Sequence, residues 1–145
     1  MTPRLPIVFE SDPTPETVEA IDRSLTAFNL SRIEAPDLTP FALVVRNEQG
    51  EIIAGLKATS FFDWLAIELL WVDESLRGQG YGSALLARAE AIGRERGCVL
   101  AFLTTLSFQA PDFYAEHGYT EFGTLENPRT GLKRHYFRKS LETRS

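Results

Sequence analysis

Between residues 77 and 83 the chain reads Arg77-Gly78-Gln79-Gly80-Tyr81-Gly82-Ser83, with three glycines in five positions. The run follows an apolar, β-rich stretch at residues 64–72. It precedes a helical pattern of Tyr81, Leu85, Ala89 and Ile92, with Gly97 placed to cap its end. A strand that turns through glycines into a helix leaves backbone N–H groups uncovered at the helix N-terminus, where the dipole adds positive potential. Such a turn suits a pyrophosphate, because glycine lets the main chain approach without a Cβ in the way. Spacing excludes two familiar phosphate loops. The nucleoside-triphosphate loop ends in Gly-Lys-Ser/Thr, and no lysine lies between Lys57 and Lys133. The dinucleotide fingerprint Gly-x-Gly-x-x-Gly fails because its third glycine falls on Ser83 or Leu85.

The rest of the chain reads as alternating elements. Residues 5–10 predict a first strand. Thr14-Pro15-Glu16 is an N-cap, a proline at the first helical position and an early acid, opening a helix to about residue 29. Val18, Ile21, Leu25 and Phe28 predict its buried stripe. Residues 31–40 read as a loop. Two β-rich runs, 41–47 and 52–59, flank Asn47-Glu48-Gln49-Gly50 and predict a hairpin. Strands at 64–72 and 98–105, a short helix at 111–117, a strand from residue 119 and a last strand at 133–138 complete the order. This is a mixed α/β (α+β) domain spanning 1–145, with a mixed central sheet of about 6–7 strands flanked by about 3–4 helices.

Charge narrows the partners. Residues 1–76 carry a net −8, residues 77–128 a net −2 and residues 129–145 a net +5, within a total of −5. An acidic first half repels nucleic-acid phosphate and attracts cations, so nucleic acid is not expected as a partner. The longest apolar runs stop at about eight residues, far short of a membrane span. A lone Cys98 and the lack of a leader-like start predict a cytoplasmic enzyme. No His/Cys/Asp/Glu cluster has metal-ligand spacing, so no metal is expected.

The pattern Arg/Gln-x-x-Gly-x-Gly/Ala, filled by Arg77, Gly80 and Gly82 after the strand at 67–72, resembles the acetyl-CoA signature of the GNAT acetyltransferase superfamily. Ala110-Pro111-Asp112-Phe113-Tyr114-Ala115-Glu116-His117-Gly118-Tyr119 is similar to that family's Ala-x-x-Phe/Leu-Tyr-x-x-x-Gly-Phe segment. The two lie about 30 residues apart, separated by a helix and a strand as in the family, and the resemblance covers roughly residues 5–139.

The resemblance implies the GNAT acyl-CoA N-acyltransferase fold, acetyl-CoA as co-substrate and N-acetylation of a small-molecule or peptide amine by direct attack on the thioester. It implies that backbone groups of Leu70, Trp71 and Val72 pair with the pantetheine arm. The amides of Gly78, Gln79, Gly80, Tyr81, Gly82 and Ser83 would hold the pyrophosphate, with Arg77 as charge partner. Tyr114 stands where relatives often carry the general acid for the leaving thiolate. Glu68, the lone acid in an apolar strand, is the candidate base, and burial there would raise its pKa. Ser107 occupies the position of an asparagine that holds the cofactor arm in many relatives, with Gln109 nearby.

Phe61, Phe62, Asp63 and Trp64 are candidates for the acceptor pocket or for core. His117 and His135 read as structural or solvated, and Cys98 as inert core. Two other functions stay open: a non-catalytic acyl-CoA-binding regulatory module, and an acetyltransferase for a protein partner docking on residues 133–139. The oligomeric state is open, a homodimer included.

Overall fold

The structure is a computed structural model that describes residues 3–33 and 38–142. The chain divides into two compact units, residues 1–35 and 36–145. In the first unit, α1 (Pro15–Leu30) begins where its cap predicts: Thr14 Oγ1 accepts from the Thr17 N–H at 3.3 Å, with Pro15 in the first turn. Residues 5–10 form no strand. A strand persists only with a ladder partner, Pro6 has no N–H to give one, and the described residues of the unit contain no other strand. The stripe of Val18, Ile21, Leu25 and Phe28 is not buried. Among the described residues of this unit nothing forms a second layer over it, and no α1 residue is buried. The predicted loop at 31–40 lies partly outside the described residues.

The second unit holds β1 (Thr39–Arg46), β2 (Ile52–Phe61), β3 (Trp64–Val72), α2 (Tyr81–Glu95), β4 (Leu100–Leu106), α3 (Pro111–Glu116), β5 (Thr120–Glu126) and β6 (Lys133–Ser140). A 3₁₀ turn at Glu74–Leu76, not foreseen, is capped by Asp73 and leads from β3 toward Arg77. The six strands form one sheet in the order β1-β2-β3-β4-β6-β5. Every neighbouring pair is antiparallel except β3 and β4, which α2 connects as a parallel crossover.

Alternation decides which face is dry. Ala54, Leu56 and Ala58 of β2, Leu65 and Ile67 of β3, Ala101 and Leu103 of β4 and Phe137 of β6 turn to one side. There they meet Leu85, Leu86 and Ala89 of α2. β4, whose nearly continuous apolar run reads in sequence as a strand buried on both faces, alternates instead, with Thr104 exposed. Among the described residues no helix is long and apolar enough to cross a membrane, and no group of three or more His, Cys, Asp or Glu could hold a metal ion.

Candidate functional site

β3 and β4 pair through only three residues each, Trp64↔Leu100, Leu65↔Ala101 and Ala66↔Phe102. Beyond Ala66 they part and open a cleft of about 1020 Å³ between β3, the glycine turn, the end of β4 and α3. The edge of β3 facing this cleft lacks ladder partners. Asp73 N–H donates to the Ile53 carbonyl at 2.9 Å, so in an antiparallel ladder the groups of Trp71 also face β2, whereas those of Leu70 and Val72 face the open edge. Arg77 Nε confirms the direction by donating to the Val72 carbonyl at 3.3 Å, which also holds the guanidinium at the cleft's end. The side chain of Trp71 still lines the cleft.

The glycine turn leaves backbone donors unpaired at the start of α2. Gly80, the N-cap of α2, sits at φ 86° and offers no side-chain cap, and the first backbone bond of the helix is Ala84 N–H to the Gly80 carbonyl at 3.0 Å. The N–H groups of Tyr81, Gly82 and Ser83 are therefore free at the positive end of the helix. Gly78, Gly80, Tyr81, Gly82 and Ser83 all line the cleft. Gln79 does not: its side-chain amide turns back to the Ser75 carbonyl at 3.3 Å.

Tyr114 reaches the cleft from α3, half-buried among the rings of Phe113, Tyr119 and Phe137 at 5.1, 5.9 and 6.1 Å. Burial pushes its phenol up from its ordinary value, so it is held as a proton donor. Glu68 lies across the cleft wall on β3. The ladder jumps from Ala58↔Ile67 to Lys57↔Leu69, which leaves Glu68 as the extra residue of a β-bulge.

Burial of Glu68 was expected and does not occur. Its side chain is 42% exposed because the bulge turns it to solvent, where it pairs with Lys57 and accepts from Thr59 Oγ1 at 3.1 Å. The sequence reading overlooked Lys57 and Thr59. Counting outward from the two-residue turn at Phe62 and Asp63 would have set Lys57 opposite Glu68.

Ser107 is outside the cleft. Its N–H donates to the Lys133 carbonyl at 2.9 Å and its hydroxyl accepts from the Lys133 N–H at 3.4 Å, so it fastens the end of β4 to β6. Gln109 faces the cleft instead, its Oε1 accepting from the Leu106 N–H at 2.7 Å and the Thr105 hydroxyl at 3.2 Å. Phe61, Phe62 and Trp64 sit at the paired end of β3 and form an edge-to-face cluster with Phe102, away from the cleft lining. Of the cations at residues 133–139, Lys139 is committed to Glu90 and Arg134 to Thr104. His117 joins Phe113 to Ser83 across 34 residues of chain, a contact with no local sign in the residues.

Comparison with known proteins places this fold and cleft in one class, the acetyltransferases. A model of the "Acetyltransferase (GNAT) family" matches residues 6–119, and the chain belongs to that family. It is 36% identical over 110 residues to an acetyltransferase of Agrobacterium fabrum, an alignment covering 76% of this chain and 80% of that protein. It is 40% identical over 110 residues to the blasticidin-S acetyltransferase of Streptomyces morookaense, covering 75% and 81%. The crystal structure of an acetyltransferase from Bacillus cereus superposes with a TM-score of 0.78 at 40% identity, covering 92% of this chain and 97% of that one. The protein is thus an acyltransferase.

Proposed function

We propose that the protein moves an acetyl group from acetyl-CoA to a primary amine of a small molecule. The observation that carries this reading is the three-pair seam between β3 and β4, which leaves an unpaired strand edge leading to free α2 amides. A pantetheine arm is an amide chain suited to that edge, in the manner of an added strand. Its diphosphate would rest on the N–H groups of the turn beside Arg77. The amine acceptor is supported by the relative named for blasticidin S and by the acidic first half of the sequence. We place the reaction in the cytoplasm, a setting supported by the free, buried Cys98.

Glu68, directly or through water, takes a proton from the acceptor's ammonium, and Lys57 and Thr59 hold the carboxylate on the open face. The free amine attacks the thioester carbon while N–H groups of the β3 edge face the developing oxyanion. The C–S bond breaks, its electron pair leaves on sulfur, and Tyr114 O–H protonates the thiolate. The nitrogen's second proton, returned through water, restores the phenol.

Thiol release from acetyl-CoA with a panel of primary amines tests the reading. Transfer with at least one amine, lowered about 10² to 10⁴-fold in Tyr114→Phe, is expected. If coenzyme A neither binds nor raises the melting temperature, the reading fails. If it binds without any acetyl transfer, the chain is a binding module.

A further inference from the structure

α3 has six residues, too few to hold a helix in water unaided. Its N-cap, Ala110, makes no side-chain cap bond. The position of Tyr114 in the cleft therefore depends on what fixes α3 from outside. The Tyr114 ring packs on Tyr119 and Phe137, and two further contacts hold α3 from the first turn of α2.

The first is steric. The Phe113 ring lies against Gly82 so closely that a Cβ there would be 3.4 Å from its Cζ. The second is polar. His117, which caps the C-terminus of α3, has Nδ1 at 2.7 Å from the Phe113 carbonyl and Nε2 at 2.8 Å from Ser83 Oγ, while its ring packs on Phe113 with centroids 4.3 Å apart. A carbonyl only accepts, so Nδ1 carries the proton. In the neutral ring Nε2 then accepts from the Ser83 hydroxyl.

We propose that His117 is a positioning residue that sets Tyr114 at its working distance from the donor by gripping Ser83 and the Phe113 carbonyl at once. The inference rests on the reading of the cleft as an acetyl-CoA site with Tyr114 as its acid. It also reassigns Ser83. With its hydroxyl proton directed to the imidazole, Ser83 offers the diphosphate its backbone N–H, and its side chain serves α3.

The two roles separate experimentally. Coenzyme A affinity by calorimetry, kcat and KM for acetyl-CoA, and melting temperature are measured for the wild type, Ser83→Ala, His117→Ala, His117→Gln and Ser83→Ala/His117→Ala. His117→Ala is measured again in a Tyr114→Phe background. Loss of positioning predicts that Ser83→Ala and His117→Ala each lower kcat about tenfold, with coenzyme A affinity held within about twofold. The double variant should fall no further than the worse single one. His117→Gln, whose amide reaches the Nε2 position, should recover part of the loss. In the Tyr114→Phe background His117→Ala should change kcat little, because the group it places is gone.

Three results would each overturn the proposal. They are weakened coenzyme A binding with intact kcat in Ser83→Ala, multiplicative losses in the double variant, and an undiminished effect of His117→Ala without the Tyr114 hydroxyl. Failure of the wild type to bind coenzyme A would instead overturn the donor reading, and the proposal with it.

Discussion

The Tyr119 hydroxyl donates to Glu90 at 2.7 Å, joining the α3–β5 junction to a carboxylate on the buried face of α2. Lys139 of β6 donates to the other carboxylate oxygen at 2.8 Å, so Glu90, 5% exposed, has a partner on each side. Glu90→Ala should destabilise the protein by about 3 kcal/mol, because it strands a lysine and a phenol that no longer reach a partner. Tyr119→Phe should cost about 1 to 2 kcal/mol. Urea unfolding measures both, and a loss below about 0.5 kcal/mol in Glu90→Ala would show that the carboxylate is not a tie.

The same phenol makes stability sensitive to alkali. Burial first, then the neighbouring Glu90, pushes the Tyr119 phenol far above its ordinary value, so it stays protonated while the unfolded chain ionises near pH 10. Its contribution is complete below that pH and declines as pH rises, at up to about 1.4 kcal/mol per pH unit. Urea titrations at pH 9 and pH 11 should show the decline in the wild type and a smaller one in Tyr119→Phe. Equal declines would assign it to other groups.

Tyr114 carries a parallel consequence for catalysis. Burial raises its phenol, so its proton is still present at pH 10. The alkaline limb of kcat attributable to this group should lie above pH 10 and be missing in Tyr114→Phe. A limb centred near pH 9 that disappears in the variant would contradict the burial.

Glu68 and Lys57 form a pair with side chains 42% and 41% exposed, and exposed pairs contribute little to stability. Glu68→Gln should therefore leave the melting temperature within about 2 °C of wild type while lowering kcat/KM for the amine about 10²-fold. Unchanged kcat/KM would remove Glu68 as the base and leave water to carry the proton.

Gly80 adopts φ 86°, with open space where a side chain would project. Gly80→Ala meets no atom, so its cost is the left-handed backbone, about 1 to 2 kcal/mol in chemical unfolding. Gly80 lines the cleft, and the strained turn should weaken coenzyme A binding at least fivefold. A variant as stable as the wild type would deny the turn its conformation.

The parts of this protein that follow from short-range chemistry were readable in the residues. Gly80 announced the start of α2, Thr14-Pro15 the start of α1, and Asn47 to Gly50 the turn between β1 and β2, each through a local backbone demand. What the residues hid depended on register. Glu68 looked buried because an apolar strand alternates, and the bulge that breaks the alternation leaves no local sign. Ser107 looked like a cofactor ligand by position in a motif, yet it sits where β4 is fastened to β6, off the cleft lining. Residues 5–10 had strand composition, but composition supplies no partner.

The seam between β3 and β4 has a mechanical meaning. It divides six strands into two antiparallel trios, β1-β2-β3 and β4-β6-β5, hinged on Ala66 and its two predecessors. Six further residues of β3 extend past that hinge, so a small change of angle at Ala66 becomes a large change of gap at Val72. The gap at the far end of β3 is thus governed at the apex of the opening, six residues away.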